Sequence, residues 1–190
     1  PKRFEYINEV TRRIQRMGVS INDEAKNYDL TQSLIISDHL LNYMKVHDIS
    51  DYNIKDLLLD RCIVDGYIYT KYFYEQGKVS CSVMNFAEYW FNELTPKYDV
   101  IFYTNPADVK LVDDGIRSTN NDFRNRIIEL YNAEFIDKFD NICILKGSVT
   151  ERLEQMKIGM LYSQCNNCNI MVALNENQPV RKQKYYSETA

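Results

Sequence analysis

Leu57-Leu58-Leu59-Asp60-Arg61 decides how this chain is read. An unbroken apolar triplet suits a central strand buried on both faces, and such strands belong to parallel sheets covered by helices. Three other short apolar runs also end in polar or acidic residues: Phe4 to Ile7, Val100 to Thr104 and Ile142 to Lys146. The stretches between them carry helical periodicity. The alternation predicts an α/β fold with a mainly parallel sheet. Ligands of such sheets sit beyond the carboxyl ends of the strands. Those ends carry Asn8-Glu9, Asp60-Arg61 and the residues from Asn105 to Arg117.

The helices follow from spacing and from their stops. A short helix opens near Glu9 and ends at Gly18, where a left-handed residue is wanted. Leu30, Leu34, Leu41 and Met44 recur at helical intervals and predict a helix from Asp23 to about Val46, capped by Asp23. His39 inside it reads as a surface or satisfied residue rather than a ligand. Cys62 to Gln76 predicts a tyrosine-heavy helix closing at Gly77. Val83, Phe86, Ala87, Trp90 and Leu94 mark another, stopped by Pro96. Phe123, Ile127, Tyr131, Phe135 and Phe139 form a stripe that predicts a helix over 121–139, with Arg124 and Arg126 pointing away. Ser148-Val149-Thr150-Glu151 is a capping box for a helix reaching Leu161.

The bulk numbers exclude several classes. The chain has 190 residues, 45% hydrophobic and 26% charged, which is one globular domain with room for a core. No run approaches the roughly 20 apolar residues of a membrane span, and no signal-like segment opens the chain, so a cytoplasmic protein is expected. The first residue is Pro1, which points to processing or to a piece of a longer protein. A net charge of −4 argues against broad nucleic-acid binding. Cys62, Cys81 and Cys143 lie in or beside apolar runs and read as reduced core residues. Cys165 and Cys168 form a single C-x-x-C, short of the four ligands of a zinc site.

Three blocks could carry chemistry. Asp60 at a strand end could accept a hydroxyl proton or hold a magnesium-bound water, with Arg61 beside it to neutralise a moving phosphoryl group. Alternatively, Asp60 caps the next helix. Asp113-Asp114-Gly115-Ile116-Arg117-Ser118 suits a loop folding over a polar ligand, joined by Arg124 on the following helix; it also suits a charged surface turn. Glu9 can accept from a ribose or base, and it also favours a helix start.

Taken in order, Asn8-Glu9-Val10-Thr11-Arg12-Arg13, Gln32, Leu58-Leu59-Asp60-Arg61 with Asp65, the Asp113 to Ser118 block, and Leu145-Lys146-Gly147 with Glu151-Arg152-Leu153 resemble P-loop nucleoside and nucleotide kinases. The nearest likeness is to the ribosylnicotinamide-kinase-like group of small phage and bacterial ATPases, and it covers about Phe4 to Met156. The resemblance implies a three-layer domain over residues 1–162 and ATP-dependent phosphoryl transfer to a nucleoside or nucleotide, with Mg2+. It assigns Asp60 and Arg61 to catalysis and Asp60 to the metal through a water. Glu9, Arg13, Asp65, Asp113 and Asp114 fall to the acceptor, and Arg117 and Arg124 to a lid.

The departure lies at the front. That family begins with a central strand and a G-x-x-x-x-G-K-[ST] phosphate loop, and no such motif occurs among these residues. A non-catalytic nucleotide- or protein-binding module derived from the kinase shell is therefore the alternative. Residues 163–190 read as a partly extended extension. Within it, Asn169 to Leu174 is the spare apolar run expected to fill the central slot, between the strands of Leu58 and Ile101, unless a segment upstream of Pro1 supplies that strand.

Overall fold

The computed structural model describes residues 4–21, 25–48, 56–104 and 121–163. The elements run β1 (Phe4–Ile7), α1 (Val10–Arg16), α2 (Tyr28–Asp48), β2 (Asp56–Leu59), α3 (Ile63–Glu75), α4 (Cys81–Leu94), β3 (Ile101–Thr104), α5 (Asn121–Tyr131), β4 (Ile142–Leu145) and α6 (Val149–Ser163). Strands alternate with one or two helices, and both strand pairings among the described residues are parallel, as the sequence predicts. The strands nonetheless form two separate two-stranded ribbons rather than one sheet among the described residues. β1 pairs with β2 in the register Phe4↔Asp56 to Ile7↔Leu59. β3 pairs with β4 from Ile101↔Ile142 to Thr104↔Leu145.

The division corrects the reading of the leucine triplet. Leu58 and Leu59 are only half-buried, because β2 has a single strand neighbour among the described residues and cannot be covered as a central strand would be. The lead into β3 meets the lead out of β2 through side chains instead. The Tyr98 ring stands edge-on to Tyr43 at 5.9 Å, and its hydroxyl lies beside Cys62 at the start of α3. Asn141 ties the entry of the second ribbon to the helices, donating through its Nδ2 to the carbonyls of Thr95 and Tyr98, each at 2.8 Å. Asn169 to Leu174 lies outside the described residues, as does the rest of the C-terminal extension.

The core is helical and centred on α3. Tyr67, Ile68 and Phe73 have 1% exposure or less, and Tyr67 stacks on Phe91 of α4 with centroids 4.1 Å apart and planes 12° from parallel. Offset stacking of this kind adds about 0.5–1.5 kcal/mol to the burial itself. The α5 stripe is buried as expected at Phe123, Ile127, Tyr131 and Phe135. It reaches Phe135 through a change of pitch, since Asn132–Ile136 winds as a π turn. The extra residue per turn keeps Phe135 against Tyr131 and Phe139.

Helix α2 departs most from its sequence pattern. Leu30, Leu41 and Met44 are exposed, while Thr31, Gln32, Ile35, Ile36, His39 and Asn42 turn inward. Two features explain the inward face. Gly66 of α3 lets the helices close, since a Cβ there would sit 2.7 Å from Ile36 Cδ1 and 3.2 Å from His39 Cδ2. Thr70 Oγ1 lies 3.1 Å from Gln32 Oε1 and 2.7 Å from the Gly66 carbonyl, so buried polar groups on the two helices meet each other. His39 is therefore buried, not on the surface. The helix starts at Tyr28, with Asn27 Oδ1 accepting from the Leu30 amide at 3.0 Å in place of the expected Asp23 cap. Asp23 lies outside the described residues.

The remaining stops follow the sequence. Gly18 and Gly77 take φ values of +85° and +69°, the left-handed conformation that ends a helix. The Ser148 amide donates to Glu151 Oε2 at 2.7 Å, and the Glu151 amide returns a bond to Ser148 Oγ at 3.4 Å. Cys81 is exposed at the start of α4, contrary to its assignment to the core. No helix among the described residues is long and apolar enough to cross a membrane.

Candidate nucleotide-binding cleft

Both strands of the first ribbon end at the same level, and the chain leaves each into a helix. The space between these exits is a cleft of about 580 Å³ lined by Tyr6, Asn8, Glu9, Asp60 and Arg61, with Arg12, Arg13 and Arg16 from α1. In a protein with a net charge of −4, four arginines around one cleft are a local reversal of sign.

Asp60 lies one residue past β2, its amide still donating to the Ile7 carbonyl at 3.0 Å. The backbone is thereby fixed while the carboxylate faces solvent. Tyr6 donates its hydroxyl to Asp60 Oδ2 at 2.9 Å, and this bond, with the carboxylate's charge, raises the phenol above its ordinary value. Asp60 does not cap α3. That role falls to Asp65, whose Oδ2 accepts from the Cys62 amide at 3.2 Å.

Arg61 has φ +71°, in a region that non-glycine residues avoid. The turn swings its side chain away from Asp60 and back between two acids. Nε meets Glu9 Oε1 at 2.8 Å, and Nη1 lies 3.5 Å from Asp65 Oδ1. Tyr131 donates to the same Asp65 Oδ1 at 2.7 Å, and Tyr69 lies beneath the guanidinium at 6.0 Å. Burial opposes the arginine's charge, but Asp65, Tyr69 and Glu9 outweigh it and hold the proton more tightly than usual. Burial and the neighbouring Asp65 also push the Tyr131 phenol well up. The sequence could not have disclosed this network, because its members come from the α1 lead-in, the β2 exit, α3 and α5.

The α1 arginines divide by partner. Arg12 is held by Glu9 Oε2 at 2.9 Å. Arg13 forms a two-pronged bond with Asp38 of α2, with Nε donating to Oδ2 at 2.7 Å. Arg16 is exposed and has no ion-pair partner among the described residues. Behind them lies His39, whose pKa falls to about 4 through burial, with Arg61 and Arg13 adding to the effect and Asp65 opposing it.

The structure thus brings Glu9, Arg13, Asp60 and Arg61 to one cleft, with Asp65 behind Arg61. Arg124 sits half-buried on α5 and does not line it. Asp113, Asp114 and Arg117 lie outside the described residues. Sequence reasoning passed over Tyr6, although alternation along β1 and a partner at the end of β2 were both visible. Arg16 stands one turn from Arg12 on the same helix face, in the Arg12-Arg13-Arg16 cluster whose sequence suits either a solvated helix face or the phosphates of a small ligand.

Among the described residues, no cluster of three or more histidine, cysteine or acidic side chains could hold a metal ion. Asp60 alone could share a magnesium water with a ligand's phosphates. These 190 residues contain no glycine-rich phosphate loop of the kind that cradles a triphosphate. A scan against family models, a search of curated proteins and a search of solved structures each found no match.

Proposed function

We propose that the protein binds a nucleoside monophosphate or a closely similar phosphorylated nucleoside in the β1–β2 cleft. The observation that carries this is the division of the cleft into two chemical ends. Asp60 and Tyr6 at the strand exits offer an acceptor and a hydroxyl for ribose. Arg16, exposed at the far end of α1, offers a guanidinium group for phosphate. Val10 to Arg16 spans roughly 9 Å of helix, which separates the two ends on the scale of a nucleotide. The role of Arg61 is to position Glu9. It is committed to Glu9 and Asp65 and supplies structure, not a free charge.

Kinase-type phosphoryl transfer within a P-loop-kinase-like domain is the second reading. It is favoured by one observation, the solvent-facing Asp60 carboxylate at a parallel strand end. There it could take the proton of an acceptor hydroxyl. Transfer further requires a phosphate-holding loop that these residues do not contain, and we derive no step through ATP.

Calorimetry with adenosine, adenosine monophosphate and inorganic phosphate separates the outcomes. Binding of the monophosphate about tenfold or more tighter than either fragment supports the two-ended cleft. No heat from any of the three at millimolar concentration would overturn it. Turnover of ATP and a nucleoside by the 190-residue chain would instead favour transfer.

A further inference from the structure

The strand-exit end of the cleft is chemically one-sided. Tyr6 pairs with Leu58 across the parallel ribbon, and Asp60 follows Leu58 by two residues, which places Asp60 on the face that Tyr6 occupies. The Tyr6 hydroxyl reaches along this face and uses its single proton on Asp60 Oδ2, at 2.9 Å. Among the described residues Asp60 accepts from no other side chain, and it is exposed. Arg61, the adjacent cation, turns away at φ +71° and is bound to Glu9 and Asp65. What remains is a group of acceptors without a donor: the two carboxylate oxygens and the lone pairs of the phenol.

We infer that Asp60 and Tyr6 select ribose over 2′-deoxyribose by accepting from both hydroxyls of the sugar's cis-diol, which rests on the cleft reading above and narrows it. Acceptors grouped without a donor are satisfied by neighbouring donors. The 2′- and 3′-hydroxyls of ribose are two donors on adjacent carbons, and the deoxy sugar keeps only one. Bonds from a hydroxyl to a carboxylate are charge-assisted and roughly twice as strong as neutral ones, so loss of the second is felt in the affinity. The edge of guanine also carries adjacent donors. A base, however, wants apolar or aromatic walls for its flat faces. In this cleft only Tyr6 and Ile7 are apolar or aromatic, and every other lining residue is polar or charged. The lining therefore suits a sugar and its phosphate better than a base. Because Asp60 is exposed, water replaces a missing hydroxyl, and the selection is about tenfold, far below that of an enclosed site.

Calorimetry on the full chain tests the selection, with adenosine and guanosine monophosphates each compared with its 2′-deoxy form. Both ribo forms should bind about tenfold tighter than their deoxy forms. Asp60→Asn, which puts a donor among the acceptors, should bring the ratio to within about twofold, chiefly by weakening the ribo forms. Its side chain is exposed, so the variant keeps its helix content, which circular dichroism verifies. Arg16→Glu should weaken ribo and deoxy forms alike and leave the ratio unchanged. Equal binding of ribo and deoxy forms by the native chain would overturn the inference and leave the cleft reading standing. So would a preference for guanine whatever the sugar, which assigns the acceptors to a base edge, or an Asp60→Asn protein that keeps the tenfold ratio. Failure of all four nucleotides to bind would overturn the cleft reading together with the inference.

Discussion

The α3-centred core and the β1–β2 cleft are held together by different physics. Around α3, aromatic and aliphatic side chains fill the interior, as where Tyr67 stacks on Phe91 and Phe73 meets Tyr28 and Tyr72. Around the cleft, Val10, Ile14, Ile21 and Ile35 form only a small apolar cluster. The rest is arranged by ion pairs and hydrogen bonds, with Glu9 gripping Arg12 and Arg61, Asp38 gripping Arg13, and Asp65 receiving Tyr131. Apolar packing gives stability without much regard to which atoms meet. Charge pairing adds little net stability but fixes side chains in defined places. The core is therefore held by apolar packing, and the cleft, which we propose is the part arranged for recognition, largely by charge pairing.

The sharpest way to break that contrast is to cut into the core. Phe91→Ala removes the ring that stacks on Tyr67 and should cost about 3–5 kcal/mol, a large share of the whole stability of a domain of this size. Urea denaturation measures it. A loss below about 1 kcal/mol would mean that α4 does not hold α3 as described.

A smaller effect comes from His39, at the border of the two regions. Its folded pKa of about 4 lies below the ordinary 6.5, so the unfolded chain takes up the proton first as pH falls. The stability it contributes is complete above pH 6.5 and is lost as pH falls from there through about 4, by ~3 kcal/mol in all. Ring-proton NMR reads this directly, because the chain has only two histidines. The His39 signals should stay those of the neutral ring until near pH 4. Titration near 6.5 would show the residue open to water and the α2–α3 contact looser than described.

The same contrast governs what the sequence disclosed. Strand positions, the α5 stripe and the Ser148 capping box were legible because each rests on local periodicity or on a three-residue spacing. The buried face of α2 was not, because its apolar residues keep helical spacing whichever face is covered. Only Gly66 on another element decides that Ile36 and His39 turn inward. The leucine triplet is a related case, since burial of a strand depends on neighbours that its own sequence does not name. At the site, Asp60 was legible from its strand end. The turning of Arg61 toward Glu9 and Asp65 was not, because it follows from a left-handed backbone angle that arginine rarely adopts.

The central claim is that Arg16 of α1 forms the phosphate end of the cleft proposed above. The most direct test compares Arg16→Glu with Arg126→Glu in their affinity for adenosine monophosphate, measured at fixed ionic strength. Both replacements change the net charge equally, but Arg126 lies on α5, paired with Glu75 and Glu129 and away from the cleft. Loss of a charge-assisted contact predicts binding weakened about tenfold or more by Arg16→Glu and hardly at all by Arg126→Glu. Equal weakening by the two variants, or none from Arg16→Glu, would contradict it.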